Sequence, residues 1–487
     1  MQTDRRTFLQ LSGLAGVAGV GALGGCSELS DTLQIVLNLP DDSVFRPPSA
    51  QEIDLPTHVL NRLSWGPRPG DYDAITSMGV EAYIEQQLDH GALNDAACDW
   101  RTASIESVHE PAAEMYEYSA EALLLDKTRY KLLRGIHSRR QLFEVMVDFW
   151  TDHFNIASEK DHCRWLKAAD DRDVIRRHAL GNFREMLHAS ATSAAMLIYL
   201  DGHDNKVESP GDPPNENYAR ELLELHTMGV RGGYTQHDVM EVARCLSGWT
   251  YENRPFLLRA ARVEFDPARH DKGEKTVLGH TIPAGGGAED LDRVLDILCA
   301  HPATARYIAE KLYRRFVATD RIDQETVERV AGAFTQSQGD IPAVLRELFS
   351  SEAFLAARGN LLKRPLRYVI SACRATDART NCPPAMVEAL ERMGHAPFQY
   401  PSPDGYPLDP EPWMGTLLWR WNFAAMLTSG SAVGSINAAQ LEARCGGRTQ
   451  LGAHLLGRQP DELESSMLDE TTAPLALLLA GPAFQMH

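Results

Sequence analysis

Apolar residues recur at helical spacing along almost the whole chain, and that periodicity admits little besides a stack of packed helices. Val80-Tyr83-Ile84-Leu88, Leu142-Val145-Met146-Phe149, Val239-Val242-Ala243-Leu246 and Leu291-Val294-Leu295-Leu298 each draw one stripe down one face. Capping signals fall where such helices would begin: Thr235-Gln236-His237-Asp238 precedes Val239, Asp323-Gln324-Glu325 precedes Val327, and Pro302-Ala303-Thr304 opens the segment that runs through Phe316. Strand-like alternation is confined to Thr250-Tyr251, Arg262 to Phe265 and Lys275 to Ile282, where Gly273 and Gly285-Gly286-Gly287 supply turns; these read as one hairpin. The expected class is mainly α, a large multi-helix domain with a small β-hairpin insertion.

The N-terminus reads as an export signal. Asp4-Arg5-Arg6-Thr7-Phe8-Leu9 precedes an apolar, Gly/Ala-rich run from Leu11 to Ala22, and Leu23-Gly24-Gly25-Cys26 follows. Paired Arg5 and Arg6 fit a twin-arginine address, the run is too short for a membrane span, and cleavage before Cys26 would leave that thiol to carry lipid. The expected organisation is a signal peptide over 1–25, a tether rich in Asp, Pro and Ser over 26–56, a helical domain over 57–428, and a C-terminal extension of the same unit over 429–487. The expected place of work is the cell envelope, lipid-anchored to the membrane. The mature length exceeds that at which one core ordinarily stops growing, so one large domain with insertions or two packed lobes both fit.

A net charge of −19 excludes a nucleic-acid partner, which would need a basic face to neutralise phosphates. Besides Cys26 the chain has Cys98, Cys163, Cys245, Cys299, Cys373, Cys382 and Cys445, with no CxxC pair, which excludes a zinc ribbon and covalent c-type haem. Cys373 and Cys382 are candidates for one disulfide, whereas Cys245 and Cys299 sit in helical patterns that suit buried thiols.

Several segments between about His58 and Phe423 resemble a bacterial family catalogued as domain of unknown function 1800. They are His58-Val59-Leu60-Asn61-Arg62-Leu63-Ser64-Trp65-Gly66-Pro67, Phe149-Trp150-Thr151-Asp152-His153-Phe154, Asn215 through Tyr218-Ala219-Arg220-Glu221-Leu222-Leu223-Glu224-Leu225-His226 to Gly229, and Gly233-Tyr234-Thr235. Further on they are Ala243-Arg244 through Gly248-Trp249-Thr250, His270-Asp271-Lys272-Gly273-Glu274-Lys275 to Gly279, Lys311 to Val317, Pro403-Asp404-Gly405-Tyr406-Pro407 and Arg420-Trp421-Asn422-Phe423. The resemblance implies a large, mostly helical, exported bacterial protein, often encoded beside a sulfatase-like protein that is a candidate partner. It assigns no reaction.

Within Tyr218 to Gly229 a helical wheel puts Tyr218, Ala219, Leu222, Leu223, Leu225 and His226 on an apolar arc and Arg220, Glu221 and Glu224 on a narrow polar stripe. Glu221 and Glu224 at i, i+3 can share a cation or a proton, with Arg220 able to pair with Glu224; the stripe equally fits a salt-bridged face. His153 lies among Phe149, Trp150 and Phe154, and either finds a partner in the core or serves as metal ligand or general base; His226 is open in the same way. His270, Asp271 and Lys275, on a loop entering the hairpin, suit a cofactor or an anionic group, or else a capped turn. The turn Pro403 to Pro407 shapes a wall, and Trp413, Trp419, Trp421 and Phe423 either line a pocket for a flat ligand or fill the core.

GxSxG, HExxH and Walker-type loops are missing. Two functional readings follow. In the first, His153, Glu221 and Glu224 hold a divalent metal (Fe, Mn or Zn) or a haem-like cofactor for catalysis, with Arg220 as a further catalytic candidate and His270, Asp271, Lys275 and His226 as cofactor-binding candidates. In the second, the chain is a non-catalytic envelope protein that binds a polysaccharide or the sulfatase-like partner.

Overall fold

The computed structural model describes residues 43–207, 212–252, 261–430 and 432–487. The expected signal, with Arg5, Arg6 and Cys26, lies outside the described residues.

The helical stripes of the sequence become buried faces. Helix α1 (Ala120–His137) starts at Ser119, whose hydroxyl accepts the Ala122 amide at 3.2 Å. Helix α2 (Gln141–His153) packs beside it and buries Leu142, Val145, Met146, Phe149 and Trp150. Helix α3 (Asn217–Glu221) runs on into a π-helical turn, Leu222–Thr227, and α4 (Gln236–Cys245) begins with the expected capping box of Thr235 and Asp238. After the strands come α5 (Glu289–Ala300) and α6 (Pro302–Phe316), then α7 (Pro365–Ala375) and α8 (Leu417–Thr428). One large contiguous core joins them, from Phe45 near the start to Phe484 near the end. No helix among the described residues is long and apolar enough to cross a membrane.

The insertion is two antiparallel pairs, where one hairpin was expected. β1 (Trp249–Glu252) pairs with β2 (Arg262–Phe265), Trp249 opposite Phe265, while β3 (Lys275–Val277) pairs with β4 (His280–Ile282). The reason is local: Leu278 and Gly279 both take positive φ, which closes 275–282 on itself and leaves β2 free to pair with β1.

The stretch expected to be a tether is described from Ser43, and from there it lies against the C-terminal helices. Phe45 is buried, its amide donates to Arg444 O at 3.2 Å, and Gln459 donates to Pro48 O and Ala50 O. The described cysteines, Cys373 and Cys382 included, are free thiols, so the candidate disulfide between those two is not formed. Burial pushes the Cys373 thiol up to about 12, which makes it an inert core residue.

Candidate functional site

Helix α2 carries three carboxylates at i, i+4 and i+8 that the apolar pattern hides: Glu144, Asp148 and Asp152. Each is neutralised inside the protein. Glu144 accepts from Arg134 at 3.0 Å and from Arg176 at 3.0 and 3.1 Å. Asp148 sits among three cations, with Lys131 at 2.9 Å, Arg364 at 2.8 Å and Arg315 at 3.2 Å, and these hold its carboxyl well below the usual carboxylate range. Asp152 receives the other arm of Arg364 at 2.7 Å. Arg364 thus ties α2 to α7, and Arg315 ties it to α6, through charge-assisted bonds.

His153, the last residue of α2, turns into the aromatic core, 5.2 Å from the Trp150 ring and 4.5 Å from that of Phe154, centroid to centroid. Its Nε2 lies 3.0 Å from the His226 carbonyl, and the two imidazoles stand 6.2 Å apart. Burial lowers His226 to about 3 and takes His153 well below its ordinary value, with the Lys311 ammonium adding to both, so both imidazoles are neutral. Among the described residues, His153 Nδ1 and both ring nitrogens of His226 have no hydrogen-bond partner.

Glu221 and Glu224 occupy the half-buried side of the same turn, while Tyr218, Ala219, Leu222, Leu223 and His226 are buried as the wheel required and Leu225 is half-buried. Arg220 does not pair with Glu224. It bridges to Glu216 at 3.0 Å and to Gln236 at 2.9 Å, because the π turn begins at Leu222 and interrupts the α-helical i, i+4 relation. No set of three His, Cys, Asp or Glu side chains spaced to hold a metal ion exists among the described residues, so His153, Glu221 and Glu224 are not brought together as a ligand set.

What gathers around the two glutamates is a group that the sequence nominated only through the turn Pro403 to Pro407, expected to shape a wall. The turn Pro403 to Pro407 arrives over the end of α2, pinned by Asn155, which donates to Tyr400 O at 2.9 Å and Ser402 O at 2.7 Å, and by Tyr199, which donates to Pro401 O at 2.8 Å. Gly405 has φ +75°, and a Cβ there would collide with the Asp152 carbonyl oxygen, so only glycine lets the turn seat itself this closely. On the other side Gly229, at φ +77°, lies against the Tyr307 ring, where a Cβ would come within 2.7 Å of a ring carbon. Asp404, carried on this turn, is close enough to act electrostatically on Glu221 and on Tyr307 and Lys311 of α6, and the Tyr234 hydroxyl reaches Glu224 at 3.5 Å.

The electrostatics follow from this packing. Burial, then the neighbouring Glu224 carboxylate, then that of Asp404 raise the Glu221 carboxyl, and Arg220 only partly opposes them. Burial brings the Lys311 ammonium down to about 8 although Asp152 and Asp404 stand near it. The Tyr307 hydroxyl is pushed up to about 12 by burial and by Asp404 and Glu224. On this shelf Asp404 thus acts on both a carboxyl that is raised, Glu221, and an ammonium that is lowered, Lys311. Lys311 is expected to react unusually fast with an amine-selective acylating reagent at about pH 8, where about half its population would be neutral against under ~1% for an ordinary lysine. Peptide mass spectrometry of briefly labelled protein checks this, and labelling of Lys311 slower than of exposed lysines would refute it.

His270, Asp271 and Lys275 form a separate knot. His270 contacts Ser247 O at 2.8 Å and Asp290 Oδ2 at 3.2 Å; Lys275 donates to Asp290 at 2.9 Å and to Asp271 O at 2.5 Å; Asp271 takes Arg244 at 2.8 and 3.1 Å. His270, Lys275 and Asp290 are buried, and these bonds brace the second strand pair against α4 and α5. Of the tryptophans, Trp413 is buried beside His395 and Tyr406, Trp419 lies under Arg392, and Trp421 is exposed on α8.

Asp152, Tyr234, Lys311 and Asp404 each lie inside a segment that carries the resemblance, which was the one sequence signal for them; Tyr307 lies just outside one. No curated protein and no solved structure matches the chain. A family model described as a protein of unknown function (DUF1800) matches residues 58–486, which takes in every residue of the shelf, the α2 carboxylates and the C-terminal helices. The chain therefore belongs to the DUF1800 family.

Proposed function

We propose that this chain is an acid–base enzyme of the cell envelope, in which Glu221 gives a proton and Lys311 takes one on the shelf they share with Asp404. What carries the reading is the convergence of three sequence-distant segments, the π turn with Glu221 and Glu224, the Asp404 turn, and the Tyr307–Lys311 face of α6. Holding Glu221 raised and Lys311 lowered costs folding energy, and acid–base chemistry near neutral pH is what such tuning serves. Tyr234, Tyr307 and Tyr400 offer hydroxyls and ring faces around the carboxylates, a lining suited to a polyhydroxylated substrate such as an envelope glycan. This reading replaces the metal centre expected from the sequence, because the imidazoles of His153 and His226 face the aromatic core and leave the glutamates without nitrogen ligands. The twin-arginine pattern at Arg5-Arg6 and the box before Cys26 support export and a lipid anchor.

The test is turnover of envelope glycan fragments by the purified full chain, read by mass spectrometry, beside Glu221→Gln and Lys311→Met. Each variant is expected to lose about 10²–10⁴-fold in rate with its melting temperature kept, and the wild-type profile to show a limb near pH 8. Wild-type turnover in either variant would overturn the assignment. Binding of glycans with no turnover would favour the non-catalytic reading.

A further inference from the structure

A cavity of about 260 Å³ lies on the other side of Arg364 from the shelf, between α6, the start of α7 and the end of the chain. Arg314, Arg315, Arg364 and Arg367 line it together with the neutral polar side chains of Thr319, Asn360 and His487, and Leu408, Pro410 and Met414 form an apolar stretch of its wall. Arg315, Arg364 and Arg367 are 8%, 5% and 3% exposed, and Arg62 behind them is 1% exposed. The count of partners does not balance. Arg364 is used by Asp148 and Asp152, and Arg314 is used by Asp409 at 2.6 Å. Arg315 shares Asp148 with two other cations.

Among the described residues neither Arg62 nor Arg367 has a carboxylate within 4.0 Å. Arg367 donates to the carbonyls of Asn61 and Ser64, Arg62 to Ala357 O at 2.6 Å, to Asn360 and to a ring nitrogen of His487, and all of these partners are neutral. Among the described residues the Nε–H groups of Arg62, Arg315 and Arg367 have no hydrogen-bond partner. A guanidinium keeps its proton even when buried, so it cannot escape the cost as a lysine can, and unpaired buried charge is among the most expensive features a fold can hold.

We propose that the cavity binds the oxyanion group of an amphiphilic ligand, a phosphate or carboxylate set against Arg315 and Arg367, with its apolar chain leaving over Leu408, Pro410 and Met414. The planar, multi-donor guanidinium fork is suited to oxyanions of either shape. The volume is just below the usual range for small-molecule sites, about 300–1,000 Å³, which fits a head group better than a whole ligand. Met414 is 62% exposed, so the apolar stretch opens to solvent, and Leu417, Leu418 and Trp421, next along the chain on α8, are exposed apolar side chains as well. This site uses none of the shelf residues and stands whether or not the shelf is catalytic.

The probes are octyl phosphate, octanoate, inorganic phosphate and octanol, titrated calorimetrically into the full chain at constant ionic strength. Octyl phosphate or octanoate is expected to bind saturably, at least about tenfold tighter than inorganic phosphate, since burying two methylenes is enough for about that factor. Octanol is expected not to bind, and the tighter of the two anions identifies the head group. Arg367→Lys, which keeps the charge and loses the fork, is expected to weaken binding by about tenfold or more. Met414→Trp, at an exposed position that folding does not depend on, is expected to obstruct the mouth and weaken binding similarly. No saturable binding of any anion, or wild-type affinity in both variants, would overturn the proposal; equal affinity for octyl and inorganic phosphate would remove its apolar half.

Discussion

Asparagine in place of Asp148 is expected to destabilise the fold by about 3–5 kcal/mol, the usual cost of removing one partner from a buried ion pair. The geometry puts the effect at the upper end of that range. Lys131, Arg315 and Arg364 all converge on this carboxylate, whose side chain is 3% exposed, and the variant would leave them facing one another with only Asp152 nearby. Asparagine keeps the volume and one acceptor, so the loss would be electrostatic and not a cavity. Urea unfolding followed by circular dichroism measures it, and a midpoint within experimental error of wild type would mean that Asp148 is not the hub of the network. Methionine at Asp148 together with neutral replacements at Lys131 and Arg315 is expected to recover much of the loss, because the penalty belongs to the stranded cations.

Mild acid is expected to weaken the protein well above the pH at which ordinary carboxylates titrate. Burial brings His58 and His226 down to about 3 and takes His137, His153, His395 and His487 well below their ordinary value. In the folded chain these imidazoles stay neutral, while in the unfolded chain they protonate near 6.5. Below that pH the unfolded state binds more protons, so the stability is complete above about 6.5 and is lost progressively as pH falls from there toward 3. Each such histidine adds a slope of about 1.4 kcal/mol per pH unit. Asp148 and Glu144, held below the ordinary carboxylate range by their cations, add a further loss of the same sign at lower pH. Urea midpoints at about pH 7.5, 6.5 and 5.5 read the slope, and replacing His226 by glutamine is expected to reduce it by about one proton. A stability that stays flat across that interval would show that the imidazoles are already protonated or accessible in the folded state.

Much of the architecture could be read from residue order because it depends on short-range repetition. The stripes at Val239-Val242-Ala243-Leu246 and Leu291-Val294-Leu295-Leu298 are buried on α4 and α5, and Thr235 and Asp238 form the cap that their spacing announced. The strand pairing was less legible, since whether 262–265 or 249–252 partners 275–282 depends on a turn at Leu278-Gly279 that competes with two longer loops. The residues of the shelf were harder still. Glu221 stood out because a polar stripe interrupted an apolar arc, but Lys311 and Asp152 look like ordinary surface charges on amphipathic helices. Asp404 looks like an ordinary turn aspartate.

His153 shows the converse. Its aromatic neighbours made it conspicuous, yet the helix rotates it into the core, 73 residues from the carbonyl it meets and away from the glutamates it was expected to join. Periodicity and capping are properties of neighbours a few residues apart, and these the sequence by itself determined: the helical class, the family likeness and the acidic character of the chain. Which charges meet was decided only by the tertiary structure. Arg364 reaching Asp148 and Asp152, Arg62 and Arg367 left without carboxylates, and Asp404 brought near enough to act on Glu221 and Lys311 all depend on segments distant in the chain, and a pairing at that range is fixed by the packing of whole helices.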